Sequence, residues 1–321
     1  MSIALPHRQL LDASREQSEG LRDPESGNAL RRWVERRPGA SAFLHKRRGR
    51  WQSFPRSYIA REVERVAAVL KERSSRGHVR LAASGLYEPD LVILALAALS
   101  SGGEVFLLDA DLRGEALTRG LSAIRPTHAF VQSRRTIARW LAATPATTMR
   151  LQLFSPQAFV GGNSAWDVVP LHNSATAVAV LPAWQAWTWR AQPRFASIAW
   201  IDEGSEWRDG LRRLLDSAIH DDLTIAFPET AESAVRDRRQ VQPTALIASP
   251  ARRHRLEEDG RARLAPEGSF GRRLSDRAEA TDGGGPVLRF VKYRRDLVLG
   301  LSRARPLAVV EPTPAPAPIS A

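Results

Sequence analysis

Seven histidines are the first candidates for chemistry: His7, His45, His78, His128, His172, His220 and His254. No two stand at i, i+3 or i, i+4 on one helical stretch, the spacing that sets two imidazoles around a metal. The tight His/carboxylate cluster, His220-Asp221-Asp222, falls between a helix and a strand and reads as a solvated turn. Gly161-Gly162-Asn163-Ser164 and Gly283-Gly284-Gly285 carry the glycines of a phosphate loop. Neither leads into a Lys-Ser/Thr pair that opens a helix, so both read as flexible connections. Ser84-Gly85, Ser100-Ser101-Gly102 and Ala248-Ser249-Pro250 lack the G-x-S-x-G frame of a nucleophile elbow. Cysteine is absent, which removes thiolate metal sites, cysteine nucleophiles and disulfides and fits a reducing, cytoplasmic setting.

The formal charge is +12, a balance that suggests nucleic acid or an anionic surface. Yet of 47 basic residues only Lys46, Lys71 and Lys292 are lysine. Such an arginine bias also follows from a GC-rich coding sequence. The arginines are interleaved with acids, as in Arg61-Glu62-Val63-Glu64-Arg65, and the densest basic run, His45 to Arg50, sits where a hairpin turn belongs. A nucleic-acid partner is therefore not expected, since basic charge alone supplies only non-specific affinity. No run of eighteen apolar residues is present, so no membrane span is expected. The opening Met1 to Arg8 has no apolar core behind a basic start, so no signal peptide is expected either.

The elements that must position any site follow from periodicity. Residues 1–27 are polar and aperiodic and read as a flexible leader. Asn28 can cap a helix from Ala29 to about Arg36, stopped by Pro38-Gly39. Ala42–His45 and Arg50–Phe54 read as a hairpin, and Ser57–Arg73 as an amphipathic helix with Ile59, Val63, Val66 and Leu70 on one stripe. Strands are then expected at Val79–Ser84, Val105–Leu108 and His128–Gln132, alternating with helices at Asp90–Leu99, Arg113–Ile124 and Arg134–Ala143. Short, continuously apolar strands between helices of about ten residues indicate βαβ units and a parallel sheet buried on both faces. The second half continues with strands at Ala177–Leu181, Phe195–Trp200, Leu223–Phe227 and Thr244–Ala248, and helices at Trp207–Leu215 and Ala231–Gln240. Residues 282–286 read as a loop, and the Pro-rich end, Pro312 to Pro318, as an unpacked polyproline-like tail.

Several of these segments, in order, resemble the AMP-forming acyl-CoA synthetases, the long-chain fatty acid–CoA ligases of the AMP-binding (ANL) superfamily. Trp51-Gln52-Ser53-Phe54 with the following helix is similar to their "W-x-x-x-T-W-x-E" opening, and Val79 through Val105 to their "G-D-R-V-A-I … E-W … G-A-V" stretch. Ala199-Trp200-Ile201-Asp202-Glu203 is similar to "L-P-L-A-(H/W)-x-x-E", and Val241 to Leu246 to "R-P-T-x-L". Leu299-Gly300-Leu301-Ser302-Arg303-Ala304-Arg305 resembles "L-G-L-S-R-V-R". The resemblance implies an α/β fold of mostly parallel sheets layered by helices, corresponding to the N-terminal domain of those enzymes and incomplete. It implies a degenerate domain over 28–306, with subdomains near 28–170 and 171–306, between the leader and a disordered tail at 307–321.

The departures bear on function. The family's phosphate loop, "T-S-G-T-T-G-x-P-K-G", is replaced by Pro182-Ala183-Trp184-Gln185-Ala186-Trp187-Thr188-Trp189-Arg190, without glycine or lysine. Glycines let backbone N–H groups approach a triphosphate, and those residues cannot build that cradle. Trp184, Trp187 and Trp189 are expected either to fill the space of the lost loop or to present an exposed aromatic surface for a partner or an acyl chain. The adenine, ribose and adenylation-lysine segments of the family are not found after Arg305. No catalytic, metal or cofactor-binding residue is therefore expected, and Trp200 and Glu203 are carried over as a vestigial acyl pocket. The expectation is an inactive binding or scaffolding pseudoenzyme in fatty acid metabolism. Its partner would be an intact ligase or a chain supplying the missing C-terminal half, and its ligand an acyl chain or acyl-CoA. The alternative is a ligase component completed by another chain, for which ATP, Mg²⁺ and CoA would be cofactors.

Overall fold

This computed structural model describes residues 20–72, 74, 78–145, 150–157, 161–171, 197–263, 266–280, 287–288, 291 and 308–309. The strand expected at 177–181, the four substituted loop residues Pro182, Trp184, Trp187 and Trp189, the 282–286 loop and the Pro-rich segment lie outside them. Two compact units divide the chain. Unit 1 takes Met1–Phe43, Gln52–Trp187 and Glu203–Arg212; unit 2 takes Leu44–Trp51, Thr188–Asp202 and Arg213–Ala321.

Unit 1 is built on α1 (Ser26–Arg36), α2 (Arg56–Glu72), β3 (Arg80–Ser84), α3 (Pro89–Ser100), β4 (Glu104–Leu107), α4 (Gly114–Ile124), β5 (His128–Val131), α5 (Arg134–Leu141), β6 (Leu151–Ser155), β7 (Gly161–Gly162) and β8 (Trp166–Pro170). Its sheet runs β4-β3-β5-β6-β8-β7, parallel throughout except for the final β7/β8 pair. Both faces are covered. On one face Leu117, Leu121 and Ile124 of α4 and Ile137 and Trp140 of α5 pack on Ala82, Ala129, Val131 and Leu153. On the other lies α3, in which every residue from Leu91 to Leu99 is buried, between the strands and the outer pair α1 and α2. A helix that is apolar all round has to be buried all round.

The hairpin of β1 (Ser41–Arg47) and β2 (Arg50–Pro55) turns at Arg48-Gly49, both with positive φ (50° and 74°), the geometry of a two-residue hairpin turn. Its tip, Leu44–Trp51, belongs to unit 2. There the sheet order is β12-β11-β9-β10-β1-β2, with β9 (Ile198–Trp200), β10 (Thr224–Phe227), β11 (Ala245–Leu246) and β12 (Ala308–Val309). β11 is parallel to both β9 and β12, and β9 is parallel to β10. The helices that follow are α6 (Arg208–Ile219), α7 (Ala234–Val241), α8 (Pro250–Arg263) and α9 (Phe270–Ala280).

Four sequence-based expectations need correction. The first helix starts at Ser26, two residues before the expected Asn28 cap. Gly161-Gly162 is not a flexible connection but strand β7, and the Asn163 side chain closes its turn by accepting from the Ala165 and Trp166 N–H groups at 2.9 Å. The strands β6 and β8 were not anticipated, because one is five residues of unremarkable pattern and the other ends in Pro170. Helices α8 and α9 were also missed: α8 shows no apolar stripe, and that of α9 is thin, only Phe270, Leu274 and Ala278. They are held instead by Ser249, whose Oγ accepts from the Arg252 N–H at 3.0 Å, and by i, i+4 pairs such as Arg272–Asp276.

Trp166 shows how the unexpected strands are anchored. It is fully buried, lies 5.8 Å from the Trp140 ring, and donates its Nε1–H to the Ala143 carbonyl at 2.9 Å. Trp166→Ala should lower the unfolding free energy by about 3–5 kcal/mol, the range for emptying a large aromatic from a core. Urea denaturation checks this.

Candidate functional site

A parallel sheet ends its strands together, and the loops at their carboxyl ends carry the side chains able to do chemistry. In unit 1 the chain runs from β3 outward to β4, then returns to place β5 on the other side of β3. The strand order reverses between β3 and β5, and ligands of such sheets lie in the crevice at that switch point. Here that crevice is filled. Gln132, just past β5, donates Nε2–H to the Leu86 carbonyl at 2.6 Å and accepts the Leu86 N–H on Oε1 at 2.7 Å. A Cβ on Gly85 (φ +139°) would lie 2.3 Å from that Oε1, so only glycine fits beside the amide.

The segment Glu203–Arg212 closes the same edge. Ser205 Oγ accepts from Gly85 N–H at 3.0 Å and donates to the Leu108 carbonyl at 2.6 Å, while the Ser205 N–H donates to the Gly85 carbonyl at 2.8 Å. Tyr87 donates N–H to the Glu203 carbonyl at 3.0 Å and Oη–H to the Trp207 carbonyl at 2.5 Å. Burial, with the nearby Glu206, Glu203 and Asp209 carboxylates, pushes the Tyr87 phenol well above its usual value. It therefore stays protonated, as a donor.

Unit 2 has two polar clusters. Lys46 is buried at the hairpin tip and donates Nζ–H to Asp237 Oδ1 and to Gln240 Oε1, both at 2.7 Å. The fully buried Asp237 also accepts from Ser233 Oγ at 2.5 Å and from the Glu229 N–H at 3.1 Å. Burial pushes the Asp237 carboxyl up, but the hydrogen bonds from Lys46, Ser233 and the Glu229 amide outweigh it and hold it below the ordinary range. At the carboxyl end of β9, Arg252 grips Asp202 with two bonds, Nε to Oδ1 at 2.9 Å and Nη2 to Oδ2 at 2.6 Å.

Of the two residues carried over as an acyl pocket, Trp200 is buried in β9 of unit 2, and its Nε1–H has no partner among the described residues. Glu203 is buried in unit 1, where its carbonyl anchors Tyr87. His45 and His128 are buried, His78, His220 and His254 are scattered, and the described residues hold no group of three or more potential metal ligands. Gln132, Ser205, Lys46, Asp237 and the Asp202–Arg252 pair were not anticipated. The one signal for Gln132 was its place directly after an apolar strand.

Solved structures match most of the chain. The adenylation domain of a carboxylic acid reductase from Segniliparus rugosus, solved with AMP and a co-purified carboxylic acid, matches with a TM-score of 0.55 at 13% identity, over 94% of this chain and 58% of its own. Acetoacetyl-CoA synthetase from Streptomyces lividans matches at 0.52 and 13% identity, over 73% of this chain and 44% of its own. The fold is that of the AMP-forming adenylating enzymes. A luciferase-like enzyme from the nonluminescent mealworm Zophobas morio shares it too, at 0.54 and 12% identity, over 91% of this chain and 72% of its own. At these identities the likeness is one of fold, and the chain spans 44% of the synthetase and 58% of the reductase domain. Neither a protein-family model nor a curated protein sequence matches the chain. No helix among the described residues is long and apolar enough to cross a membrane.

Two tests follow. Gln132→Glu should cost about 1–3 kcal/mol at neutral pH, because a carboxylate has no proton for the Leu86 carbonyl. That site raises the carboxyl's folded-state pKa above its unfolded value near 4.3. The deficit against wild type should therefore be complete at pH 7, shrink as pH falls through the raised folded-state value toward about 4.3, and change no further below about 4, read by denaturant titration at each pH. Asp237→Ala should cost about 3–5 kcal/mol by leaving Lys46 buried and unpaired, and Lys46→Met with Asp237→Leu should recover most of it. The folded Asp237 pKa is depressed, so its contribution is present above the unfolded value near 3.9 and lost as pH falls through the folded one. Asp237→Asn should accordingly flatten the acid side of the stability profile.

Proposed function

We propose that the chain is a degenerate, non-catalytic relative of the AMP-forming acyl-CoA synthetases that acts as a binding or scaffolding partner. The observation that carries this reading is the composition of the stretch before β9. Between Gly162 and Gly204 there is no glycine, and between Lys71 and Lys292 no lysine. A triphosphate cradle needs backbone N–H groups free of side-chain cover and a mobile cation nearby. The Pro182–Arg190 segment supplies three indoles instead. Lys46 does not compensate, since its ammonium is buried against Asp237 and Gln240. The residues present do not fit ATP–Mg²⁺.

By the same resemblance, the segment from Trp200 to Glu203 suggests an acyl chain or acyl-CoA as ligand, in fatty acid metabolism and in the cytoplasm. A second reading, a ligase component that needs another chain, is favoured by the partial coverage of the larger adenylating enzymes. Under it ATP, Mg²⁺ and CoA return as cofactors, and the partner is the chain that carries the remaining segments. The Arg-rich surface as a nucleic-acid site is the weakest reading, and binding that does not weaken as salt rises would exclude it.

Thermal unfolding of the purified chain with ATP–Mg²⁺, AMP or a long-chain acyl-CoA tests these readings. At a hundredfold excess over Kd a ligand adds about 2.7 kcal/mol, roughly 5–10 °C in melting temperature. No shift with ATP or AMP, and no ATP-dependent acyl-CoA formation, is expected. A shift with either nucleotide, or any acyl-CoA product, overturns the non-catalytic reading. A shift with acyl-CoA alone identifies the ligand.

A further inference from the structure

We propose that the tip of the β1–β2 hairpin, with the face of α7 beside it, docks on an anionic phospholipid surface. The tip belongs to unit 2 and lies at the edge of its sheet, since β2 is the last strand in the order. Residues 45–51 and 228–241 together carry seven cations against three acids, a net +4 in a chain whose whole excess is +12. The inference concerns unit 2 alone and does not depend on whether the chain binds a nucleotide or an acyl group.

The network beneath the tip holds these charges in place. Asp237 Oδ1 takes Lys46 Nζ at 2.7 Å and lies 3.4 Å from Arg236 Nε, so one carboxylate oxygen faces two cations. Lys46 and Asp237 cancel in the interior, while the Arg236 side chain is 66% exposed. Gln240 ties the helix to both strands, accepting on Oε1 from Lys46 Nζ at 2.7 Å and from Trp51 Nε1 at 3.2 Å. Glu229 grips the turn itself through the Gly49 N–H. Around this anchored core Arg48, Arg50 and Arg239 are exposed.

Arginine at this turn is a poor choice for the fold alone. Arg48 takes the first turn position with φ 50°, where Asn, Asp or Gly is usual. Arg47 and Arg50 flank the two-residue turn and so stand directly opposite one another, and like charges in that relation destabilise a strand pair. A layer of anions outside the tip removes that repulsion. A tight turn on an edge strand presents a point rather than a cleft, which suits a plane of headgroups. A nucleic-acid strand needs a groove and open aromatic faces for its bases, but Trp51 is half-buried, with Lys46 Nζ 5.9 Å from its ring centroid and its N–H on Gln240. Arginines near an anionic leaflet are attracted to it one by one and need no pocket.

Co-sedimentation of the purified full chain with lipid vesicles tests the proposal. Vesicles with about 30% phosphatidylserine should retain the chain at about 0.1 M salt, pure phosphatidylcholine should not, and about 1 M salt should release it. Arg48→Asn, Arg50→Gln and Arg236→Gln should each weaken binding about fivefold, and the three together about a hundredfold. Arg48→Asn should leave the melting temperature unchanged or higher, since asparagine suits the turn, so its loss of binding is not a loss of fold. Arg31→Gln, Arg32→Gln and Arg119→Gln together remove the same net charge from exposed positions of unit 1 and should leave binding within about twofold. No retention on the anionic vesicles, equal retention on phosphatidylcholine, or a loss in the unit 1 variant that matches the tip variant would each overturn the proposal. So would a single-stranded oligonucleotide that binds the same arginines more tightly than the vesicles do, which would assign the tip to nucleic acid.

Discussion

The carboxyl-end groups of a parallel sheet must find partners, and much of this molecule is arranged around that need. Strands that run together leave their loops crowded at one edge, with N–H and C=O groups that either bind a ligand or bind each other. In unit 1 they bind each other. Gln132 takes both backbone groups of Leu86, and Ser205 joins Gly85 to Leu108. Glycine at 85 and 204 follows from the same crowding, since a Cβ on Gly204 would lie 2.4 Å from the Gly85 carbonyl oxygen. An edge closed in this way is a structural joint and not a binding crevice.

Unit 2 meets a related constraint with charge. The hairpin tip carries the basic run that dominates a first look at the composition, yet its lysine is the least exposed charge there. Burying an ammonium is tolerable only with partners on its protons. Asp237 and Gln240 supply them, and Ser233 and the Glu229 amide keep Asp237 ionised. What reads in the sequence as a cationic loop is, at its centre, a neutral internal pair. The Glu229 carboxylate also accepts the Gly49 N–H on both oxygens, at 3.1 Å, and so fixes the turn from below.

The alternation of short apolar strands with helices was legible because a sheet covered on both faces demands unbroken apolar strands, and β3, β4 and β5 have them. β7 and β8 were not legible, since two glycines acquire strand geometry only when a neighbouring strand and the Asn163 side chain impose it. α8 was missed for the opposite reason: its cap and charged side chains leave no periodic trace, while α9 leaves only the three-residue trace of Phe270, Leu274 and Ala278. Trp200 and Glu203 are both buried, one in each unit, and the Leu86 clamp could not be foreseen. A glutamine after a strand looks like any polar loop residue until the fold brings Leu86 within 3 Å of it.

The same physics explains how a fold of this kind can lose a phosphate loop and remain folded. Glycines in such a loop contribute almost nothing to the sheet, because they bury no side chain and cost more entropy to order than other residues. The sheet depends on covered faces, which Leu117, Leu121, Ile137, Trp140 and the whole of α3 provide. It depends equally on satisfied ends, which Gln132 and Ser205 provide. None of these residues lies near position 182 in the sequence, and none needs a nucleotide to hold its place.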